Sequence, residues 1–396
     1  MDKLIDPEVI QNFKKLLEVD PAAAAETIKN YVEKKNNIPL NIGVTGESGS
    51  GKSSFVNAFR GINKNSPGAA PTGCVETTMD IKPYPHPNYP NVILWDLPGI
   101  GTTNHPAEKY LKLVVFEEFD FFIIISDTRF RENDVKLAKE IQKMGKKFYF
   151  VRSKIDNDLL AEERGQRDFD PESILSKIRQ NCIQGLQKQG FQSPRVFLLS
   201  NFELHLYDFS LLHETLDIEL PDHKKHVLLL AMPNINQEII NKKKEAFQAD
   251  IKWHAAASAA AAAVPIPGLS VAVDLSLMVV VVSQYVGGFG LDESSLRRLA
   301  ASTGVPFNDL TAVLTSVLAK SNITKDLLIK LLTQCVSASA LMAAEEGSRF
   351  IPLFGIPVAM ALSFTVTYKA LNFFLGTLAD EAQRVFIRGL RLNTTV

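Results

Sequence analysis

The central part of the chain alternates short apolar runs with stretches of helical periodicity. From about residue 38 the runs are 40–44, 92–95, 121–125, 148–151 and 196–199. Helical stretches such as 133–144 and 171–189 lie between them. Buried runs that alternate with helices predict parallel strands with crossover helices on both faces of a sheet. Functional sites in such sheets lie at the carboxyl ends of the strands, so candidate chemistry is expected there.

The segments on either side of this core are predicted to be helical. Pro7 and Pro21 each follow an aspartate and stand where a helix would start. Residues 234–253 predict a charged amphipathic helix, and no further strand is predicted after about residue 222. These changes of pattern divide the chain into N-terminal helices at 1–36, a central α/β domain at 37–222 and an apolar helical domain at 223–396.

Three uncharged stretches lie in the C-terminal half, at 255–273, 275–291 and 350–368. The first is close to the roughly 20 residues that cross a bilayer. It is mostly alanine, however, and two prolines and a glycine interrupt it. Helices buried in a soluble fold and helices that dock on or dip into a membrane both fit this pattern. Within the second alternative, helices that dock on or dip into a membrane are favoured over helices that cross it fully.

Composition excludes several function classes. The 396 residues are 46% hydrophobic and 22% charged, as in globular proteins. A formal net charge of −1 gives no electrostatic case for a nucleic-acid partner. Cys74, Cys182 and Cys335 are far apart, which favours a reducing compartment and argues against a thiolate metal site. Because the first residues contain no apolar run, we expect no secretory signal and a cytoplasmic location.

The segment after the first predicted strand has the phosphate-binding pattern Gly-x4-Gly-Lys-Ser/Thr. Its residues are Gly46, Glu47, Ser48, Gly49, Ser50, Gly51, Lys52 and Ser53, and Ser54 continues them into a predicted helix. Glycines let such a loop wrap closely around phosphates, and its N–H groups point at the anion. Lys52 is expected to reach the β- and γ-phosphates, and Ser53 is expected to bind Mg²⁺.

The second apolar run ends in an Asp-x-x-Gly sequence, from Asp96 to Gly99, and Asp96 lies 44 residues after the loop lysine. We expect Asp96 to hold Mg²⁺ opposite Ser53, and the Gly99 N–H to sense the γ-phosphate. GTPases place a threonine between these two motifs that closes over Mg²⁺ and the γ-phosphate. Thr78 is the first choice for that residue, and Thr77 is the second.

Base recognition is predicted after the fourth apolar run, where Ser153-Lys154-Ile155-Asp156 resembles the Asn/Thr-Lys-x-Asp element that reads guanine. The Asp156 carboxylate can accept from N1–H and the 2-amino group of guanine together, and adenine lacks that pair of donors. The stem of Lys154 can lie along the base. Ser200-Asn201 follows the fifth run, where a backbone N–H is expected to contact guanine O6.

Ile100 occupies the position after Asp-x-x-Gly at which many GTPases carry a glutamine. That glutamine orients the attacking water, and an isoleucine side chain has no polar atom with which to do so. We therefore expect slow intrinsic hydrolysis unless a group arrives from elsewhere. A second copy of the protein could provide it.

With these elements the chain resembles the immunity-related GTPases, an interferon-inducible family with a dynamin-like mode of action. The resemblance runs over nearly the whole chain. Its most specific matching segments are 46–53, 71–73 with Glu76 and Thr78, 84–87, 95–102, 119–122, 128–130, 148–152 and 199–201. Lys52 matches the branch of the family that carries lysine in the phosphate loop. The proline and glycine segments at 265–268 and 351–355 look most like those of the cinema-type members.

The resemblance implies an α/β P-loop GTPase domain with a mixed, mostly parallel six-stranded sheet, plus an all-α helical domain built from both chain ends. It also implies homodimers that form through the nucleotide faces and hydrolyse GTP on intracellular membranes, with a role in cell-autonomous defence. Glu76 and Arg129 match residues that act near the ribose and across the dimer interface. Ser153 departs from the family threonine, and the lipidation signal of some members is absent.

Two other functions fit the same residues. The protein could be a nucleotide-dependent binding module that signals by its choice of partner with negligible turnover, and Ile100 favours that alternative. Specificity for ATP is a weaker alternative, which equal affinity for ATP and GTP would support.

Overall fold

The computed structural model describes residues 7–73, 80–100, 116–128, 131–165, 168–262, 269–339 and 361–390. The chain divides into two compact units, one of Ile38–Ile235 and one of Met1–Asn37 with Asn236–Val396. All described strands lie in the first unit, which we term the sheet unit, and the second is termed the helical unit. The domain boundaries drawn at residues 36 and 222 stay a prediction.

The sheet unit is built on a single six-stranded sheet. Its strands are β1 Leu40–Thr45, β2 Lys82–Pro85, β3 Val92–Asp96, β4 Phe121–Ser126, β5 Lys147–Arg152 and β6 Val196–Leu198. Their order across the sheet is β2-β3-β1-β4-β5-β6, and β2 alone pairs antiparallel. The predicted mixed, mostly parallel sheet is confirmed. Because β1 lies between β3 and β4, the loops that follow these three strands are neighbours.

Strand β2 has no counterpart among the apolar runs of the sequence. Of its four residues only Tyr84 is buried, and Pro83 and Pro85 cannot donate to a neighbouring strand. Proline is tolerated here because β2 is an edge strand with one partner, β3. A short edge strand with one buried position leaves no hydrophobic pattern to detect.

The remaining elements of the sheet unit are helices. They are α3 Lys52–Phe59, α4 Glu132–Lys143, α5 Ile155–Gly165, α6 Pro171–Lys188, α7 Phe209–Glu219 and α8 Asp222–Ala231, with a 3-10 turn at Phe116–Glu118. Strand β4 is buried at all six positions, which explains its continuous apolar sequence. Leu137 and Ile141 of α4 and Leu186 of α6 belong to the same core as Phe122 and Phe150. Helices α4 and α6 therefore share a core with the strands of the sheet. The loops at the carboxyl ends of the strands carry the candidate site.

The helical unit combines helices from both ends of the chain, as predicted. Its helices are α1 Pro7–Val19, α2 Pro21–Asn36, α9 Gln237–Ala262, α10 Leu269–Gly288, α11 Glu293–Thr303, α12 Phe307–Ala312, α13 Val317–Lys320, α14 Lys325–Ser339 and α15 Ala361–Gly389. Helix α9 packs against both α2 and α15. Asp20 caps α2 by accepting from the Ala23 N–H at 3.0 Å, and Pro21 starts the helix.

Helix α9 runs from the charged stretch into the alanine-rich one without a break. Ala255, Ala256, Ala259 and Ala260 are fully buried in a core that also contains Trp253 of the same helix, Phe13 of α1 and Phe364 of α15. Small side chains let neighbouring helices approach closely, and the Ser258 hydroxyl lies 2.8 Å from that of Thr367 on α15. The alanines of α9 up to residue 261 are therefore buried within the helical unit, and their association with a membrane stays a prediction.

One segment of the described chain, Leu275–Thr303, is long and apolar enough to cross a membrane by length and composition alone, with a mean hydropathy of 1.4. It joins the end of α10 to α11, and the helices are separated by a short turn. The core helix of a soluble protein has the same properties, so membrane insertion of α10 stays a prediction.

Candidate nucleotide-binding site

The loop between β1 and α3 has the backbone of a phosphate cradle. Gly46, Gly49 and Gly51 have φ angles of 142°, 79° and 97°, which residues with a side chain rarely adopt. At Gly46 a Cβ atom would also lie 2.1 Å from the carbonyl oxygen of Ile125. Glycine is therefore required where the loop passes the end of β4. Helix α3 begins at the next residue after Gly51, and its first N–H groups are the kind that bind phosphate.

Lys52 lies within the loop and is 6% exposed. Its ammonium group donates to the Gly46 carbonyl at 3.2 Å and to the Glu47 carbonyl at 2.8 Å. The loop thus folds around the positive charge and holds it close to its own backbone. A phosphate group in the loop can take over these donors in charge-assisted hydrogen bonds, which are stronger than those to a neutral carbonyl.

Ser53 and Asp96 lie together, as the sequence predicts. The Ser53 hydroxyl donates to the Asp96 carboxylate at 2.5 Å, and Asp96 is fully buried. The contact follows from the sheet, because Val44 at the end of β1 pairs in register with Asp96 at the end of β3. A hydroxyl beside a carboxylate is an oxygen donor set of the type that Mg²⁺ prefers.

The segment after β3 packs directly on the phosphate loop. A Cβ atom at Gly99 would lie 2.8 Å from the backbone nitrogen of Ser48, so only glycine fits there. The next N–H, of Ile100, donates to the Gly46 carbonyl at 3.3 Å. The Ile100 side chain is 1% exposed and belongs to the core that contains Leu97. Residue 100 is therefore committed to packing and has no polar group to offer a water molecule.

The guanine-reading element lies against the other side of the loop. Ser153 is fully buried, and its hydroxyl donates to the Ser50 carbonyl at 2.6 Å. Lys154 has a φ of 57°, unusual for a residue with a side chain, and such conformations are concentrated at functional sites. Its ammonium group donates to the Gly49 carbonyl at 2.8 Å and to Asp127 at 2.7 Å. The hydroxyl of Ser153 thus ties this element to the phosphate loop.

Asp156, Ser200 and Asn201 complete the base side of the site. Asp156 lies in the first turn of α5 and is partly exposed, as a carboxylate that receives a ligand must be. Ser200 is buried, and its hydroxyl accepts from the Phe202 N–H at 3.3 Å. The Asn201 amide donates to the Gly51 carbonyl at 3.1 Å. The ends of β5 and β6 are therefore both linked to the phosphate loop.

Two buried polar atoms beside this loop, the Ser50 hydroxyl and the Asn201 side-chain oxygen, have no hydrogen-bond partner in the described part of the chain. Unsatisfied buried polar atoms are rare and cost free energy. Both residues are next to Gly51, one by sequence and one through the hydrogen bond above. Their position indicates a polar ligand at the loop.

Residues that no sequence motif marks surround Glu47. Arg131 and Asn133 both donate to its carboxylate, Asn133 at 2.9 Å. Asp134 is fully buried, and burial raises its pKa to about 6, although the Arg131 N–H that donates to it at 3.0 Å acts in the opposite direction. These residues follow β4, so only their place after an apolar run could have indicated them. Arg131 and Asn133 fix the Glu47 side chain, and Asp134 accepts from the Arg131 backbone.

Some predicted site residues lie outside the described residues. They are Glu76, Thr77, Thr78 and Arg129, and their roles stay predictions. Ser54 lies in the first turn of α3. In the described ranges, no group of three or more His, Cys, Asp or Glu could hold a metal ion by itself.

Comparison with known proteins gives a family match over residues 6–388, to the model described as interferon-inducible GTPase (IIGP). Interferon-inducible GTPase 5 of Rattus norvegicus is 42% identical over 95% of this chain and 81% of the relative. Interferon-gamma-inducible GTPase 10 of Mus musculus is 36% identical over 100% of this chain and 92% of the relative. T-cell-specific guanine nucleotide triphosphate-binding protein 2 of Mus musculus is 38% identical over 91% of this chain and 84% of the relative.

Proposed function

The chain belongs to the interferon-inducible GTPase family and so binds and hydrolyses GTP, and we propose that it does so mainly as an assembly of its own copies on intracellular membranes. The observation that carries the assembly part of this proposal is Ile100, buried where a water-orienting glutamine would be expected. A single molecule then lacks one group for hydrolysis. A second copy that meets the first through its nucleotide face can supply it.

We infer that the nucleotide is bound together with Mg²⁺. Ser53 and Asp96 fit this ion because they bring a hydroxyl and a carboxylate oxygen within 2.5 Å of each other. When bound, the ion would neutralise phosphate charge as a Lewis acid. Lys52 places a second positive charge in the loop. Asp156 orients the guanine base, so the nucleotide binds in one direction, with its phosphates in the loop.

Turnover per molecule is expected to rise with protein concentration. Far below the dissociation constant of a dimer, the dimeric fraction grows in proportion to concentration, so a tenfold increase should raise specific activity up to about tenfold. The measurement is phosphate release at saturating GTP over a dilution series, with an inert protein added to keep total protein constant. Measurable turnover whose specific activity does not change with protein concentration would contradict the assembly mechanism. Negligible product after hours at high concentration would instead favour the binding-module alternative.

We propose a cytoplasmic protein that associates with membranes through its helical unit. Six large apolar side chains in the described part of this unit are more than a third exposed, namely Val19, Val280, Val317, Ile329, Val366 and Phe373. The full chain is expected to float with liposomes, most strongly with GTP. Phe373→Ser should weaken flotation. The control Ile218→Ser changes an exposed apolar residue of the sheet unit and should leave flotation unchanged. Equal absence of flotation with GTP, with GDP and without nucleotide would contradict the proposal.

We also propose that the chain groups with the lysine-containing, cinema-type members of the family and acts in cell-autonomous defence. Lys52 supports the first part. The names of the relatives, several of which are described as interferon-inducible, support the second. Cells that lack the protein and still restrict vacuolar pathogens normally would argue against the defence role.

A further inference from the structure

We propose that Asp127, Arg152 and Asp158 are positioning residues for recognition of the guanine base. They form two ion pairs, one between Arg152 and Asp158 and one between Asp127 and Lys154. The inference rests on the proposed function, because it requires that Asp156 accepts from guanine. None of the three belongs to the Ser-Lys-x-Asp element itself, and none is expected to touch the nucleotide.

Arg152 links the end of β5 to the first turn of α5. Its Nη1 donates to the Ser153 carbonyl at 2.6 Å, and its Nη2 pairs with the Asp158 carboxylate. The Arg152 side chain is 8% exposed, so these contacts are shielded from water. Asp156 lies between the two contacts in sequence, in the same helical turn as Asp158. Arg152 therefore holds the segment that carries Asp156 from both ends, with a fixed fork of donors that lysine lacks.

Asp127 holds the lysine of the base-reading element. Its carboxylate accepts from the Lys154 ammonium group at 2.7 Å, beside the bond of that group to the Gly49 carbonyl. The pair follows from the sheet, because Ser126 at the end of β4 is in register with Arg152 at the end of β5. The residues after these two strands are therefore neighbours. Asp127 thus fixes the far end of the Lys154 side chain, whose stem is expected to lie along the base.

The ion pairs also distinguish between three carboxylates that act on one another. Burial raises the pKa of Asp158, and the Arg152 guanidinium opposes that shift. The charges of Asp127 and Asp156 raise the same pKa further, so both lie close enough to act on Asp158. Asp127 and Asp158 each have a cation, whereas the Asp156 carboxylate has no hydrogen-bond or ion-pair partner in the described ranges. Asp156 is therefore the carboxylate of the three that can accept from a base.

The placement of Asp156 decides how many donors of the base it can bind. Guanine offers N1–H and the 2-amino group side by side, and a carboxylate accepts from both only when it faces both. The base of inosine nucleotides lacks the 2-amino group and offers N1–H alone. The ratio of the affinities for GDP and inosine diphosphate therefore measures how well Asp156 is placed, without interference from hydrolysis.

Asp158→Asn and Asp127→Asn test the assignment in the full chain, since each removes one ion pair with little change of shape. We expect GDP affinity to fall about tenfold and the ratio of GDP to inosine diphosphate affinity to fall about fivefold. The preference for a non-hydrolysable GTP analogue over GDP should stay within about twofold, because the phosphate contacts are unchanged. Direct binding titrations with each nucleotide measure these values.

The matched control is Glu219→Gln, which makes the same carboxylate-to-carboxamide change far from the base-reading element. Glu219 pairs with Lys147 at 3.2 Å, at the start of β5 and not at its end. The control should lower the melting temperature without changing the ratio of GDP to inosine diphosphate affinity. An equal fall of that ratio in the control would overturn the inference, because loss of stability alone would then explain it.

Combination with Asp156→Asn separates positioning from a general weakening of the site. Asp158→Asn should lower the ratio no further in that background, because no carboxylate is left to place. Losses that add in full would overturn the inference, as would an unchanged ratio in both single variants. Asp127→Asn, which leaves the buried Arg152 paired, decides the matter if Asp158→Asn does not fold. Failure of the proposed base contact would be seen separately, as an unchanged ratio in Asp156→Asn alone.

Discussion

Lys52→Ala is expected to lower GTP turnover by a factor on the order of 10² to 10³, the range typical of removing one group that stabilises developing charge. The ammonium group lies inside the loop, 2.8 Å and 3.2 Å from two loop carbonyls. A methyl group leaves that space without a positive charge beside the phosphates. Measurement of phosphate release and of GTP affinity by titration checks both consequences.

The matched control for this variant is Lys64→Ala, which removes an exposed lysine in a turn of the same unit. It lowers the net charge by the same amount as Lys52→Ala. Because it does not alter the phosphate loop, it should leave both turnover and affinity unchanged. A melting curve of Lys52→Ala separates loss of chemistry from loss of fold. If GTP binding and turnover survived in the folded variant, the assignment of the phosphate loop would be wrong.

The sequence predicts those parts of the site in which residue type and spacing are tied to one geometry. Ser53 and Asp96 are 43 residues apart, yet parallel strands whose ends are in register place them 2.5 Å apart. A loop motif after one strand and an acidic motif after its neighbour suffice to predict such a contact. The sheet was predictable for a related reason, since β4 is buried at every position and its first five residues are all apolar.

The rest was not predictable because it depends on packing that leaves no periodic signal. The two prolines of β2 argue against a strand, and only its place at the sheet edge makes one possible. The amide of Asn57 looks like any polar residue of an amphipathic helix until Ala70 is seen to approach it from 13 residues away. Long-range pairs of a side chain with a backbone group carry no fixed spacing, so a single sequence does not indicate them.

Helix α9 shows a different limit. The change from charged residues to alanines at about residue 254 suggests the end of one element, but α9 continues to Ala262. Alanine is the best helix former, so backbone preference gives no reason to stop there. What changes is the environment, because several of these alanines are fully buried. Composition thus marked a change of burial and not a boundary.

Asp156→Asn is expected to lower affinity for GTP roughly 10- to 100-fold and to raise affinity for xanthosine triphosphate. One hydrogen bond that involves a charged group is worth about 1.5–3 kcal/mol, which gives this range. A carboxylate accepts from both N1–H and the 2-amino group of guanine. Asparagine presents one donor instead, which faces the 2-amino group of guanine unfavourably but matches the carbonyl at the same place in xanthine. Competition titrations with GTP, xanthosine triphosphate and ATP measure the exchange.

The matched control is Glu163→Gln, which makes the same carboxylate-to-carboxamide change at an exposed position further along α5. It should leave all three affinities unchanged. The ATP result decides the remaining alternative, since adenine offers neither donor to Asp156 and should bind weakly to both the unmodified protein and the variant. Equal affinity of the unmodified protein for ATP and GTP would mean that Asp156 does not read the base. The bonds from Ser153 and Lys154 to the Ser50 and Gly49 carbonyls would then serve only to brace the phosphate loop.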